Sequence, residues 1–243
     1  MKTPPELQAL RKDVLAAHRF LCEQGLAVLT WGNVSGIHRA SGVVAIKPSG
    51  VAYDELTVDN IVLVELDGGR VLTDDLRPSS DLPTHLALYR AFPQIGGVAH
   101  THSRHATAFA QACRSLPCLG TTHADHFCGT IPVTRPLRSA ETAKDYESNT
   151  GQVIIETFRD KNPVALPAVL VAHHAPFTWG DSPAAAVCNS VVLEAVAGMA
   201  LETWQLDPAK AGIPADLQRC HFLRKHGPAA HYGQPQGPAA AIS

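Results

Sequence analysis

The chain is 243 residues long, 45% apolar and 17% charged, with a formal net charge of −2. That length suits one sizeable α/β domain, and a near-neutral charge without a basic cluster excludes nucleic acid and anionic membrane as partners. The apolar run Val187 to Ala200 is interrupted by Cys188, Asn189, Ser190 and Glu194, so no bilayer-spanning segment is expected, and Met1-Lys2-Thr3-Pro4-Pro5 lacks the apolar core of a signal peptide.

Leu7, Leu10, Val14, Leu15, Ala17, Phe20 and Leu21 recur at helical spacing, which predicts a first helix over Glu6 to Gln24 with Gly25 ending it. Val28 to Trp31, Val43 to Ile46 and Ile61 to Glu65 read as strands, and Asp67-Gly68-Gly69 turns the last into a hairpin with Val71-Leu72. Ser79-Ser80-Asp81-Leu82-Pro83 opens a helix that runs to about Phe92. Val98 to His102 is the next strand, Arg104 to Cys113 a helix opened by Ser103, and Ala140 to Phe158 a helix capped by Ser139. Ala168 to His173 is an apolar strand, Asp181-Ser182-Pro183 opens a long helix to about Trp204, and Leu217 to Lys225 is the last helix. Strands and helices mix without a strict βαβ rhythm, which predicts a three-layer α/β/α domain on a largely antiparallel sheet, covering residues 1–233. Residues 234–243 are rich in Pro, Gly and Ala and are expected to form a disordered tail. The six cysteines include no CxxC pair, so they read as free, mostly buried thiols of a reducing cytoplasm.

The chemistry centres on Gly96-Gly97-Val98-Ala99-His100-Thr101-His102. Side chains two apart on a strand share a face, so His100 and His102 would aim at one point, as a transition metal requires. A second apolar strand ends in His173-His174 and delivers a third imidazole, of which only one of the two residues can face the ion. Asp81, at a helix start, offers an oxygen. Three histidines with or without a carboxylate suit zinc, manganese or cobalt over calcium. The segments Trp31-Gly32-Asn33-Val34-Ser35-Gly36, Lys47-Pro48-Ser49-Gly50 and Pro78-Ser79-Ser80-Asp81 share small, hydroxylic residues, the last at a helix N-terminus. With Lys47 they could hold a phosphate, and no P-loop pattern points to a nucleotide.

TWGNVSG, IKPSGV, PSSDLPTH, GGVAHTHSRHAT, TTHADHFCGTIP, PFTWG and LRKHGPAAHYGQ together resemble the L-ribulose-5-phosphate 4-epimerases of the class II aldolase/epimerase family, from about Leu7 to Gln234. The resemblance implies the aldolase class II fold and a four-fold symmetric homotetramer with active sites between subunits. It implies a divalent metal, zinc first, held by Asp81, His100, His102 and His174. It implies phosphate contacts from Asn33, Ser49, Gly50, Ser79 and Ser80, with Lys47 in the same pocket. Asp125 and Tyr232 match the acid/base pair, and His221 and Arg224 match residues near that pocket. One departure is Ala172-His173-His174-Ala175, where the family has His-Ser-His-Gly, so the His174 assignment rests on its distance to Pro176-Phe177.

What the resemblance implies chemically is the interconversion of L-ribulose 5-phosphate and D-xylulose 5-phosphate by breaking and remaking C3–C4, with the cation stabilising negative charge on oxygen. The alternatives are a class II sugar-phosphate aldolase that releases the aldehyde, which would carry Glu at the position of Asp81, and a non-catalytic scaffold like the adducin head, which lacks the metal ligands.

Overall fold

The computed structural model describes residues 3–73, 76–227 and 230. The expected tail and Tyr232 therefore lie outside the described residues. In chain order the elements are α1 (Pro5–Glu23), β1 (Asn33–His38), β2 (Val43–Ile46), β3 (Val62–Glu65), α2 (Leu82–Ala91), β4 (Gly97–His100), α3 (Arg104–Gln111) and α4 (Thr121–Ala124). There follow α5 (Ser139–Ala143), α6 (Tyr146–Thr157), β5 (Ala168–Leu170), β6 (Pro176–Gly180), α7 (Pro183–Leu206) and α8 (Ala215–His226).

The six strands form one sheet in the order β3-β2-β1-β4-β6-β5, with every named pairing antiparallel. Alternation divides the strand residues between its faces. Val44, Ile46, Val62, Val64 and Val98 join the large core with Leu86 and Tyr89 of α2 and Ile154 of α6. Val43, Ala45 and Leu63 pack under Leu7, Leu10 and Val14 of α1. Val34 and Ala99 continue that second face against Leu21 of α1 and Ala186 and Val187 of α7. Helices cover both faces, which is the three-layer α/β/α arrangement on an antiparallel sheet that the pattern predicts.

Six details differ from the sequence reading. Of the six cysteines, expected to be mostly buried, only Cys118 is buried, and Cys128, Cys188 and Cys220 are exposed. Val28 to Trp31 is not a strand: Leu29 has a positive φ of 54°, and Val28, Leu29 and Trp31 are exposed. The strand begins at Asn33 instead, because the chain first turns through Gly32, φ 77°, where a Cβ would sit 2.7 Å from the His100 carbonyl oxygen. Strand β4 stops at His100, so His102 stands beyond the ladder. The helix expected over 140–158 is two, broken where Asp145 takes a left-handed φ of 55°. Strand β5 ends at Leu170, and a tight turn with His173 at φ 62° leads into β6, a strand to which the sequence reading assigns no element. Finally, α7 is long and apolar enough to cross a membrane by length and composition. Its polar interruptions do not lower the average enough to fail that test, yet Ala186, Val187, Leu193 and Ala197 are buried on the sheet and α3, so its hydropathy is that of a core helix.

Candidate metal centre

Strand β4 delivers His100 to the end of the sheet, buried between neighbours. Its Nδ1 lies 2.9 Å from the Pro176 carbonyl oxygen, which can only accept, so Nδ1 carries the hydrogen and Nε2 is bare. His100 is also stacked on Phe177, 4.1 Å between ring centroids and 15° from parallel. Contact of this kind from the second layer fixes ring orientation. Two residues on, the His102 Nε2 lies 3.1 Å from the His100 Nε2. His174 arrives from the β5–β6 turn, and the ligand atoms of His100, His102 and His174 all fall within 4.8 Å of one another. Two nitrogens at about 2.05 Å from one ion in tetrahedral geometry stand about 3.3 Å apart, so the His100–His102 spacing fits a shared cation without rearrangement. Burial pushes the His100 pKa down to about 3 and lowers those of His102 and His174, so the imidazoles are neutral and able to bind a metal near pH 7.

The donor set therefore fits a divalent transition ion. Asp81 is not part of the 4.8 Å cluster but lines the same cleft, and its Oδ2 accepts from the Asn33 amide at 2.7 Å. Burial works against its ionisation, but His100, His85 and the Asn33 hydrogen bond outweigh that and hold the carboxyl below its ordinary range.

The cleft has a volume of about 670 Å³. Along the same cleft two of the expected anion segments pair with each other: Ser49 N donates to the Arg77 carbonyl and Ser79 N to the Lys47 carbonyl, both at 2.9 Å. Those amides are spent, which leaves the hydroxyls and the next backbone groups of Ser49, Gly50, Ser79 and Ser80 along the wall. Asn33 gives its second amide hydrogen to the Ser79 Oγ at 3.0 Å. It thus orients Asp81 and Ser79 rather than presenting a donor of its own. Lys47 is 2% exposed and its Nζ donates to the carbonyls of Val51, 2.5 Å, and Pro48, 3.3 Å. Among the described residues no carboxylate pairs with it. Burial lowers its pKa, so this ammonium gains from any anion that enters.

Asp125 is elsewhere. It closes α4 and does not line the cleft. Its carboxylate is met from α8 by the His221 Nδ1 at 3.0 Å, by the Arg224 Nε and Nη2 at 3.2 and 3.0 Å, and by Lys225 at 3.8 Å. Burial raises its pKa, but the Arg224 and His221 hydrogen bonds outweigh this and keep it ionised. The structure brings into the cleft two residues that no motif marked, Tyr146 and Glu147 at the start of α6. Nothing in the sequence around them signals a site.

The family model described as Class II Aldolase and Adducin N-terminal domain matches residues 12–201. Curated proteins named L-ribulose-5-phosphate 4-epimerase UlaF, from Salmonella paratyphi C and Salmonella typhi, are each 51% identical over 228 residues, 94% of this chain and 100% of theirs. Among solved structures, an L-fuculose 1-phosphate aldolase superposes with a TM-score of 0.76 at 21% identity, over 90% of this chain and 96% of that one. The L-fuculose-1-phosphate aldolase of Thermus thermophilus gives 0.64 at 22%, over 83% and 98%. At such identities these structures speak for the fold.

Proposed function

The chain belongs to the class II aldolase and adducin N-terminal domain family, and from that premise we propose that it is a metal-dependent L-ribulose-5-phosphate 4-epimerase acting in the cytoplasm. The observation that carries the reading is one cleft lined both by three convergent imidazoles and by a buried lysine among serine hydroxyls that pairs with no carboxylate among the described residues. The full-length identity with curated epimerases supports the choice of substrate, a phosphorylated ketopentose.

His100, His102, His174 and Asp81 would hold the ion, with zinc the first expectation and manganese or cobalt compatible with the same donors. Bound there, a divalent cation supplies Lewis-acid stabilisation of negative charge developing on substrate oxygen. Lys47, Ser49, Gly50, Ser79 and Ser80 would take the phosphate, with Asn33 holding Ser79 and Asp81 in place. The proton at C4 is not acidic, so inversion there proceeds by cleavage of C3–C4. The O4 hydroxyl gives up its proton as the bond breaks, the aldehyde turns, and O4 recovers a proton as the bond reforms on the opposite face. Two acid/base groups on opposite sides are needed, and Asp125 and Tyr232 are the pair we assign. Asp125 does not line its own chain's cleft, so this assignment requires a homotetramer in which it serves a neighbouring copy.

Incubation of the metal-loaded protein with L-ribulose 5-phosphate tests this. Conversion to D-xylulose 5-phosphate, abolished by a chelator and restored by a divalent cation, is expected. Accumulating glycolaldehyde phosphate would make the protein an aldolase, and purified protein that binds no stoichiometric divalent metal would make it a scaffold.

A further inference from the structure

Metal-binding imidazoles need their second nitrogen occupied, because that hydrogen bond fixes the tautomer and aims the ring. For His100 the Pro176 carbonyl does this, at the start of β6. For His174 the partner is a side chain: the Tyr146 hydroxyl lies 3.3 Å from its Nδ1. With the reading of the cleft as a metal centre as its basis, we propose that Tyr146 is a positioning residue of that centre, accepting the His174 Nδ1 hydrogen and so presenting Nε2 to the ion.

The surroundings of Tyr146 are built to keep it there. It is the first residue of α6, directly after the left-handed Asp145. The first turn is tied by Asn149 N to the Asp145 carbonyl at 2.9 Å and by the Thr150 hydroxyl to the Tyr146 carbonyl at 2.9 Å. It is also tied to another helix, since the Thr84 hydroxyl of α2 donates to the Glu147 carbonyl at 2.6 Å. One turn later α6 lies so close to α2 that a Cβ on Gly151 would be 2.7 Å from the Ala87 Cβ. Asp81 is the N-cap residue of α2, immediately before Leu82. The same pair of helices therefore carries Asp81 to the cleft and, through Tyr146, orients His174 within it. A tyrosine that merely filled space would need neither the hydroxyl nor its alignment with a ligand ring.

The test compares wild type with Tyr146→Phe, which removes the hydroxyl and keeps the ring. Zinc affinity of the apoprotein, read by competition with a chromophoric chelator, is expected to fall by about 10- to 100-fold. The absorption bands of the cobalt-loaded variant should shift, and the thermal midpoint of the apoprotein should hold. Equal zinc affinity and an unchanged cobalt spectrum would overturn the proposal. Should the variant fold poorly, nitrogen-resolved imidazole spectra of the wild-type apoprotein decide alone: His174 protonated at Nδ1 supports the role, and protonated at Nε2 refutes it. Wild-type protein that binds no zinc would instead overturn the metal centre itself, a failure distinct from loss of the tyrosine's part.

Discussion

Replacing Lys47 by methionine separates the lysine's function from its place in the fold. The side chain is almost wholly buried, its Nζ bonded to two carbonyls and, among the described residues, to no carboxylate. An unpaired buried ammonium costs stability, so an apolar side chain of similar length removes that cost. Against this, the Val51 and Pro48 carbonyls lose a donor, at about 1 kcal/mol each where water cannot replace it. The two effects nearly cancel, and the unfolding free energy should stay within about 1 kcal/mol of wild type. Substrate binding has no such compensation. A charge-assisted hydrogen bond to phosphate contributes about 1.5–3 kcal/mol, or roughly 10- to 150-fold in affinity. Steady-state kinetics with L-ribulose 5-phosphate should therefore show KM raised by that factor, while urea unfolding shows little change. The pH dependence gives an independent check. The Lys47 pKa is lowered by burial, so its charge is lost below the usual lysine range, and KM should rise on the alkaline side in wild type but stay flat in the variant. A variant with wild-type KM that unfolds easily would refute the reasoning and make Lys47 a structural residue.

Other outcomes follow from the same geometry. His18 and His85 are fully buried, and burial pushes their pKa values down to about 3 and about 4. The unfolded chain takes up these protons near pH 6.5 and the folded one does not, so stability falls as pH drops from 6.5 toward 4; equal urea midpoints at pH 7 and pH 5 would contradict this. The Glu194 carboxylate on α7 accepts from the His105 and Ala106 amides at 2.9 and 3.0 Å and so caps α3, just after His102. Glu194→Ala should cost about 1–2 kcal/mol in calorimetry, and an unchanged midpoint would show that the cap contributes nothing. Helix α8 has no buried residue, and Asp125 gathers His221, Arg224 and Lys225 from it. Asp125→Ala should make residues 215–226 more susceptible to limited proteolysis; unchanged resistance would mean that other contacts hold the helix.

Apolar periodicity made α1, β2 and the long α7 legible, the last helped by Ser182, whose hydroxyl accepts from Ala185 N. It failed at β1, Asn33–His38, because that central strand is not apolar. Its polar residues are spent inside the protein: the Ser35 hydroxyl meets the His85 Nδ1 at 2.7 Å and the Tyr89 hydroxyl at 2.8 Å, and Asn33 meets Asp81 and Ser79. A pattern reader sees Asn-Val-Ser-Gly as a loop, since nothing local shows those partners. Strand β6, Pro176–Gly180, is missed for another reason: it is five residues long between a proline and a glycine, although Phe177 and Trp179 are buried in the core. The break at Asp145 carries no glycine or proline to announce it. Within the site, His100, His102 and His174 could be picked out because histidines at strand ends are conspicuous. Tyr146 could not, because its partner is 28 positions away in the chain.

The residues that defeat the pattern are the ones that shape the cleft, and this has a physical reason. Asn33, Ser35, Lys47, His85 and His100 are polar and buried. Ordinary core economy would exclude all of them. Each is tolerated because hydrogen bonds made before any substrate arrives already satisfy most of its polar atoms. That leaves side chains such as Asp81 and Ser79 with settled directions, so binding need not reorganise them. Two atoms escape this satisfaction, the Asn33 Oδ1 and the His85 Nε2, both buried without a partner among the described residues. They flank Asp81, one across a hydrogen bond and the other a helical turn along α2. A buried polar atom left unsatisfied beside a carboxylate is what a site would show if Asp81 were held ready for a cation rather than for the fold.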